Sequence, residues 1–258
     1  RDVERSRGLG DVYKRQALES AGCTVERFFL REQEDFAVTD AFCAAIRPGV
    51  DMVFLCQPNN PTGQLTALPL VEQILCRCAA CGTLLVVDEC FLDFLPDHAL
   101  HTAKGLLGEG DLVILKAFTK LYGMAGVRLG YALSADTALL EQMQACGQPW
   151  GVSSLAQAAG LAALEETAYV EKVRALIAEQ RPRLTAGLRA LGLRVIDGKA
   201  NYLLFRAPAD LNERLRPLGT QVRSCANYPG LGPEWYRTAV RTAPENARLL
   251  ELMKEVLG

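Results

Sequence analysis

Four polar residues follow hydrophobic segments of this sequence, and their side chains could do complementary chemistry. Asn60 lies in the tetrapeptide NPTG, Asp88 ends the segment TLLVVD, Lys120 follows DLVILKAFT, and Arg128 comes eight residues after the lysine. A lysine amine can form a Schiff base with an aldehyde, and an arginine can bind a phosphate through paired hydrogen bonds. A carboxylate can keep a pyridine nitrogen protonated, and an asparagine amide can donate to a phenolic oxygen.

Taken one at a time, these residues have simpler explanations. The NPTG tetrapeptide is also an ordinary turn sequence, and Asp88 could cap a helix or lie on the surface. A single small molecule, however, carries an aldehyde, a pyridine nitrogen, a phenolic oxygen and a phosphate, and would use all four side chains. The combination therefore predicts a binding site for pyridoxal phosphate.

Alternating strands and helices must bring these residues together. Short apolar segments predict strands at 25–30, 51–56, 83–90, 111–118 and 128–133, and helical patterns lie between several of them, at 38–47, 68–81 and 136–146. Hydrophobic strands separated by helices are typical of a mainly parallel sheet covered on both faces, which is an α/β fold. Ligands of such sheets bind beyond the carboxyl ends of the strands, where Asn60, Asp88 and Lys120 are expected.

The remaining sequence indicates a second, smaller domain. Residues 153–191 have a helical pattern, which Pro182 is expected to kink or interrupt. Further on, the strand candidates RVI, NYLLFR, TQVRSC and WYRTAVRT alternate with helices, the last of them at the C-terminus. We therefore predict a leader at 1–16, a partial large cofactor-binding domain at 17–165 and a small C-terminal α+β domain at 166–258.

Composition argues against several classes of protein. Half of the 258 residues are hydrophobic, 22% are charged and the formal net charge is −2, which indicates a packed soluble protein and argues against a nucleic-acid surface. No apolar segment approaches the roughly 20 residues of a membrane-spanning helix, and the first residues are unlike a secretory signal. Nine scattered cysteines favour a reduced, cytoplasmic location over a disulfide framework.

One cysteine cluster raises the question of a metal site. Cys76, Cys78 and Cys81 lie close together, but a zinc site needs a fourth ligand and usually has a second pair at a set distance. The segment LPLVEQILCRCAACG instead predicts a helix that ends at Gly82, with cysteine as a small apolar residue. No metal is predicted.

Four collinear segments, PNNPTG, VVDECFLDF, KAFTKLYGMAGVRLGY and ANYLLF, resemble the class I and II aminotransferases, pyridoxal-phosphate enzymes of fold type I. The resemblance covers residues 17–258 and is closest to the histidinol-phosphate aminotransferase branch. Within that branch, residues 222–242 resemble the threonine-phosphate decarboxylases of cobalamin biosynthesis. The resemblance implies decarboxylation of L-threonine O-3-phosphate to aminopropanol phosphate, with transamination of the histidinol-phosphate type as the alternative.

The resemblance also implies roles for individual residues. Lys120 matches the lysine that forms the Schiff base, Asp88 the aspartate facing the pyridine nitrogen, and Asn60 the asparagine near the ring oxygen. Arg128 matches the phosphate-binding arginine, and Arg237 matches the arginine that receives the substrate's acidic group.

Two further arginines are candidates for binding the substrate. Arg223 matches a second substrate-side arginine of the branch with phosphorylated substrates. Arg241 alternates with Arg237 on the predicted strand, so that both would share a face, although Arg241 could also be a surface residue. Together the three would form a pocket for a small substrate with a carboxylate and a phosphate. Relatives are homodimers with active sites near the interface, which implies a homodimer for the full-length form.

The sequence departs from the family pattern in several places. Phe91 stands where many relatives have a tyrosine that hydrogen-bonds the ring oxygen, although decarboxylase-like relatives tolerate phenylalanine. Ala117 stands where many have a phosphate-binding serine. The glycine-rich phosphate-binding turn and the aromatic residue that stacks on the ring, both upstream of Asn60 in the family, are not found. Residues 1–16 fit nothing in the family and are either a non-homologous leader or a divergent arm. We therefore also expect that the chain lacks the upstream third and binds pyridoxal phosphate poorly, with an inactive fragment as the alternative to a working enzyme.

Overall fold

The computed structural model describes residues 3–7 and 12–258, and within these residues ten strands form two sheets. The first sheet contains β1 (Val3–Arg7), β2 (Thr24–Phe28), β3 (Met52–Cys56), β4 (Leu84–Asp88), β5 (Leu112–Ala117) and β6 (Gly130–Leu133). The second sheet contains β7 (Arg194–Val195), β8 (Tyr202–Arg206), β9 (Arg223–Ser224) and β10 (Trp235–Ala239).

Helices connect and cover these strands. The α-helices are α1 (Val12–Ser20), α2 (Ala41–Ala45), α3 (Leu68–Cys81), α4 (Phe118–Leu121), α5 (Thr137–Cys146), α6 (Ser154–Glu165), α7 (Thr167–Ala190), α8 (Leu211–Leu215) and α9 (Ala243–Leu257). Single turns of 3₁₀-helix lie at Glu32–Glu34, Leu92–Phe94, His98–Leu100, Ala103–Leu106, Ala125–Val127 and Arg216–Leu218. None of the helices in the described residues is long and apolar enough to span a membrane.

The first sheet has the strand order β2-β1-β3-β4-β5-β6 and is parallel except for the antiparallel pair β5 and β6. Leu85, Val86 and Val87, consecutive in β4, are all buried, so both faces of the sheet are covered. This explains the continuous apolar sequence of the strand. The predicted α/β fold with a mainly parallel sheet is confirmed.

The topology brings the candidate residues to one edge of this sheet. Strands β3, β4 and β5 are parallel, so their carboxyl ends meet there. Strand β6 runs back from the same edge, because Gly130 at its start pairs with Ala117 at the end of β5. The connection between these two strands, which holds Lys120 and Arg128, therefore lies at that edge.

The predicted leader at residues 1–16 falls partly outside the described residues. Within it, Val3–Arg7 forms β1, which pairs in parallel with both β2 and β3. The prediction that these residues are unrelated to the family stays a prediction.

Two hydrophobic clusters lie on either side of the proposed domain boundary. The cluster around the first sheet includes Phe42, Val53, Ile74, Leu85 and Ile114. The cluster around the second sheet includes Leu184, Leu188, Phe205, Tyr236 and Met253, and it extends to Phe94 and Leu121 of the large part. The division at residues 165 and 166 stays a prediction, since the second cluster draws on both parts.

The expected interruption of the helix at Pro182 and the expected length of the last strand are both wrong. Pro182 does not interrupt its helix: α7 continues through it from Thr167 to Ala190, and the break in the helical region lies at Glu166 instead. A proline inside a helix removes only one backbone hydrogen bond, because it has no N–H. The packing of Leu184 and Leu188 holds the helix together beyond Pro182. The last strand is also shorter than predicted, since β10 ends at Ala239.

The cysteine-rich segment behaves as expected for a helix. Cys76, Cys78 and Cys81 lie in α3, which ends at Gly82 with a φ of 65°. This left-handed conformation suits glycine at the end of a helix. In residues 3–7 and 12–258, no group of three or more histidine, cysteine or acidic side chains could hold a metal ion.

Candidate active site

The turn after β3 is held by its own polar side chains. The Gln57 side chain donates to Thr66 O (2.6 Å) and accepts from Thr66 N (2.8 Å). Thr62 Oγ1 donates to Asn59 Oδ1 (3.0 Å), and Gly63 N donates to Asn59 O (2.7 Å). Because these groups are satisfied within the turn, Asn60 is left to line the adjacent cavity.

The same turn packs directly against the connection between β7 and β8. Lys199 N donates to Gly63 O, and a Cβ on Gly198 would lie 2.4 Å from Thr62 O. Gly63 has a φ of +73°, and its own Cβ would meet the Gly198 backbone at 3.2 Å. Glycine at both positions thus permits two backbones to approach more closely than side chains would allow. This contact fixes the second sheet against the turn that carries Asn60.

Asp88 is placed by the end of β4. Its backbone oxygen accepts from Gln57 N (2.8 Å), which joins the ends of β3 and β4. Its Oδ1 accepts from Cys90 N (2.9 Å), so the carboxylate is oriented by the chain that follows the strand. Asp88 is half-buried and lines the same cavity as Asn60.

Lys120 and Arg128 lie in the connection between β5 and β6. Lys120 lies in the short helix α4, and Phe118 N donates to Leu129 O (3.1 Å), which closes the connection at its base. Arg128 has a left-handed backbone with a φ of 58°, and its Nη1 donates to Ala125 O (3.2 Å). Both side chains are exposed, and neither lies within ion-pair distance of a carboxylate in the described chain.

Arg223 and Arg237 reach the cavity from the second sheet. They are direct partners in the antiparallel register of β9 and β10. Arg237 Nη1 donates to Asn60 Oδ1, a contact between the second sheet and the NPTG turn. Arg223 Nη2 donates to Asn227 Oδ1 (3.4 Å).

One cavity of about 800 Å³ brings six of the seven predicted site residues together. Its lining includes Asn60, Asp88, Lys120, Arg128, Arg223 and Arg237. With four cations and one carboxylate, it is strongly positive and suited to an anionic ligand. A volume of this size is in the range of pockets that bind small molecules and cofactors.

Arg241 is the predicted site residue that does not reach this cavity. Because β10 ends at Ala239, Arg241 does not continue the alternation that was expected to place it beside Arg237. Its exposed side chain pairs instead with Glu245 in the first turn of α9 (Nε–Oε1 3.2 Å). The expected pocket of Arg223, Arg237 and Arg241 is therefore not formed.

The two substitutions relative to the family pattern both face the cavity. Phe91 presents its ring to Lys120 Nζ at 5.2 Å from the ring centre, and Ala117 contributes no hydroxyl. Thr119, which sequence reasoning missed, also lines the cavity and offers a hydroxyl next to Lys120. Its position directly before the lysine was the available signal.

Other lining residues were also missed. Cys56 and Cys90 flank the cavity near the ends of β3 and β4, and Tyr228 lies between β9 and β10. Their positions beside strand ends were visible in the sequence, but small apolar thiols and a lone tyrosine carry little chemical signal on their own.

Lys116, four residues before Lys120, has a different environment. Its buried ammonium binds Glu89 Oε2 (2.9 Å) and Asp93 Oδ1 (2.9 Å), and Glu89 also accepts from Thr102 Oγ1 (2.8 Å). Burial by itself would lower the pKa of Lys116, but the two carboxylates outweigh it and raise that pKa. Lys116 is therefore held as an ammonium in ion pairs, whereas Lys120 faces the cavity.

The donor set of the cavity fits pyridoxal phosphate. Asp88 offers a carboxylate for a pyridinium N–H, Asn60 an amide for the ring oxygen, and Arg128 a guanidinium for the phosphate. Lys120 offers a primary amine for the aldehyde, and among the described residues this amine has no ion-pair partner. The four groups are of the types that the cofactor requires, and they line a single cavity.

Comparisons with known proteins agree with this fit. The model of the family described as "Aminotransferase class I and II" matches residues 13–254. Over 246 residues the chain is 39% identical to threonine-phosphate decarboxylase of Salmonella typhimurium, covering 94% of this chain and 67% of that protein. Over 221 residues it is 37% identical to histidinol-phosphate aminotransferase 1 of Dechloromonas aromatica, covering 84% of this chain and 60% of that protein.

The fold is shared with solved structures. Histidinol-phosphate aminotransferase from Clostridium acetobutylicum superposes with a TM-score of 0.93, covering 99% of this chain and 78% of that chain, at 24% sequence identity. At this identity the likeness is one of fold.

Proposed function

Because this chain belongs to the class I and II aminotransferase family, we propose that it binds pyridoxal phosphate at the cavity and decarboxylates L-threonine O-3-phosphate. Enzymes of this family use that cofactor. The chain spans 67% of the length of the threonine-phosphate decarboxylase and 60% of the histidinol-phosphate aminotransferase that it matches. We therefore base the proposed activity of this chain on its site residues and not on the relatives' names alone.

In this proposal four residues hold the cofactor. Lys120 anchors it, Asp88 keeps its ring nitrogen protonated, Asn60 binds its ring oxygen and Arg128 its phosphate. When bound, pyridoxal phosphate draws electrons from the substrate's α-carbon, so that a bond to this carbon can break. Asp88 supports this chemistry because its negative charge stabilises the protonated ring, and Cys90 N holds the carboxylate in place.

The pairing of Arg223 with Arg237 is the observation that carries the choice of substrate. After Arg128 is assigned to the cofactor's phosphate, these two guanidinium groups remain at the cavity. Two neighbouring cations suit a small substrate with two acidic groups, one a carboxylate and the other a phosphate. L-threonine O-3-phosphate has both groups on a short carbon chain. It also has an amine, which would replace that of Lys120 at the cofactor's aldehyde.

In this proposal Lys120 also moves the proton that completes the reaction. In decarboxylation, the bond between the α-carbon and the carboxylate breaks, carbon dioxide leaves, and Lys120 Nζ delivers a proton to the α-carbon. The product would be aminopropanol phosphate, and we propose that the reaction belongs to cobalamin biosynthesis. Lys120 is suited to this role because its amine is exposed to the cavity and is free of ion pairs in the described residues.

A histidinol-phosphate-type aminotransferase is the second candidate. The similarity to the Dechloromonas enzyme supports it, and the same cations would bind a phosphorylated substrate. In that reaction Lys120 would remove a proton from the α-carbon instead of delivering one. The two candidates therefore share a site and differ in which bond to the α-carbon breaks.

Carbon dioxide release separates the candidates. We expect the chain, saturated with pyridoxal phosphate, to release carbon dioxide from O-phospho-L-threonine, and the Lys120→Ala variant to release none. Formation of glutamate from histidinol phosphate and 2-oxoglutarate, without carbon dioxide release, would favour the aminotransferase. If neither carbon dioxide nor glutamate is formed, both candidates are contradicted and the inactive fragment is favoured.

Self-association and location complete the proposal. Helix α6 and the segment before it carry exposed apolar side chains, among them Trp150 (96% exposed) and Leu155 (83%). Such side chains support a homodimer of the full-length form, for which Leu155→Glu should lower the dimer fraction in light scattering. None of the nine cysteines, all of which lie in the described part of the chain, forms a disulfide there, and this supports a reduced, cytoplasmic setting.

A further inference from the structure

An aromatic pair separates the two cations that bind opposite ends of the substrate in the proposed function. Lys120 Nζ lies 5.2 Å from the ring centre of Phe91, and the guanidinium carbon of Arg237 lies 4.9 Å from the ring centre of Tyr202. The two rings contact each other edge to face, with centres 5.1 Å apart and an interplanar angle of 86°. The four side chains thus form a continuous column from one cation to the other.

Tyr202 fixes this column at the junction of the two domains. It lies on β8 of the small domain, is 3% exposed, and its hydroxyl donates to Asn59 O (2.8 Å) in the NPTG turn. The next residue of that turn, Asn60, accepts from Arg237. Arg237 is therefore held on one side by the Tyr202 ring and on another by the turn that Tyr202 binds.

Phe91 fixes the other end of the column. It follows Asp88 by three residues and is packed against Phe94 in a stacked arrangement with ring centres 6.4 Å apart. Without a hydroxyl, Phe91 offers Lys120 a ring face and no hydrogen bond. Cations are attracted to such a face.

We propose that Phe91 and Tyr202 are positioning residues that set the separation between Lys120 and Arg237, and so limit substrates to those whose amine and acidic group are a fixed distance apart. This positioning role rests on the proposed function in one respect only, which is the identity of the substrate. Rings are stiff, with two rotatable bonds each, and each is buried or half-buried against the other. Moving either cation relative to the other would require repacking the column.

The position of Tyr202 argues that it does more than fill the core. A leucine or methionine could occupy much of the same volume, but would provide neither a ring face for Arg237 nor a hydroxyl for Asn59. Burial raises the pKa of Tyr202 well above its usual value, so that the hydroxyl remains a donor. Tyr236, also buried on the second sheet, is a matched control because its ring stacks on Phe205, 5.9 Å away between centres, and in the part of the chain that the structure describes no cation lies over that ring.

The first test needs neither cofactor nor substrate. Phenylglyoxal modifies accessible guanidinium groups, and the rate at Arg237 can be followed by peptide mass spectrometry. We expect Tyr202→Met to speed modification of Arg237 by roughly 2- to 25-fold, the range of a lost cation–π contact, and Tyr202→Phe to leave it near the unsubstituted rate. Tyr236→Met should leave it unchanged. Equal rates at Arg237 in Tyr202→Met and the unsubstituted protein would overturn the proposal.

The second test uses the other end of the column. Acetic anhydride labels amines. Phe91→Met should raise the labelling of Lys120, relative to that of Lys172 on α7, by roughly the same 2- to 25-fold as expected for Arg237. This variant also keeps the proposal testable if Tyr202→Met does not fold, because Phe91 is only half-buried. An unchanged ratio of the two lysines would contradict the role of Phe91.

Steady-state kinetics then separate positioning from general loosening. Tyr202→Met should raise KM for O-phospho-L-threonine by roughly 2- to 25-fold with little change in kcat, since it acts through Arg237. Phe91→Met should lower kcat with little change in KM, since it acts through Lys120. A parallel change in both constants for both variants would overturn the proposal. If O-phospho-L-threonine is not turned over at all, the proposed function fails. The labelling results still decide whether Phe91 and Tyr202 are positioning residues.

Discussion

Arg223 and Arg237 stand directly opposite each other on the antiparallel strands β9 and β10. Like charges in this position repel, and within residues 3–7 and 12–258 neither has a carboxylate at ion-pair distance. An anion bound between them would relieve the repulsion. The arrangement is therefore better explained by a ligand with acidic groups than by the stability of the sheet.

Removing either arginine should weaken substrate binding. A charge-assisted hydrogen bond contributes about 1.5–3 kcal/mol, so Arg237→Gln and Arg223→Gln should each raise KM for O-phospho-L-threonine by roughly 10- to 150-fold. Arg241→Gln is the control, because Arg241 pairs with Glu245 outside the cavity and should change KM less than twofold. An increase in KM for Arg241→Gln as large as that for Arg237→Gln would contradict the assignment.

Lys120 should be the residue that becomes covalently linked to the cofactor. After reduction with borohydride in the presence of pyridoxal phosphate, peptide mapping should find the label on Lys120. Lys116 should remain unlabelled, because its ammonium is buried between Glu89 and Asp93. A label on Lys116, or an equal label in the Lys120→Ala variant, would show that the assignment is wrong.

The ion pairs of Lys116 should matter for stability. Lys116→Met leaves the Glu89 carboxylate buried without its cation, which should lower the free energy of unfolding by about 3–5 kcal/mol. The double variant with Glu89→Leu removes the uncompensated charge and should recover part of that loss. Urea unfolding at pH 7.5 measures both. A loss below 1 kcal/mol for the single variant would contradict the structural role of the pair.

Tyr202 should give the protein an alkaline sensitivity. Burial raises its pKa well above 10 in the folded chain, so the unfolded chain releases this proton first as pH increases. The stabilisation is fully present below about pH 10 and is lost as pH rises through the folded-state pKa, at about 1.4 kcal/mol per pH unit. Urea unfolding between pH 8 and pH 11 should therefore show a steeper decline in the unsubstituted protein than in Tyr202→Phe. Identical slopes above pH 10 would refute this.

The contact between the NPTG turn and the connection from β7 to β8 should tolerate no side chain at Gly198. A methyl group there would lie 2.4 Å from Thr62 O, so Gly198→Ala should lower the free energy of unfolding by at least about 2 kcal/mol and weaken pyridoxal-phosphate binding through Asn60. Gly105→Ala is the control, since nothing lies within 4 Å of its added methyl group. Thermal unfolding and cofactor titration test both effects, and equal behaviour of the two variants would contradict the prediction.

The sequence by itself was sufficient for the fold class and for placing four candidate residues. Apolar segments alternating with helices specify a parallel sheet, and a parallel sheet gathers the carboxyl ends of its strands at one edge. Asn60, Asp88 and Lys120 could therefore be placed together from their positions after strands, and Arg128 from its spacing to the lysine. This inference needs only topology, because the geometry of parallel strands is the same in every such sheet.

Only the tertiary structure decided which further residues meet at the site. Whether Arg241 lies beside Arg237 depends on where β10 ends, and the competing ion pair with Glu245 is a property of helix packing. The burial of Lys116 and the column from Lys120 through Phe91 and Tyr202 likewise join segments far apart in the chain. Residue types and local spacing carry no record of such contacts, because they arise when the two sheets are packed against each other.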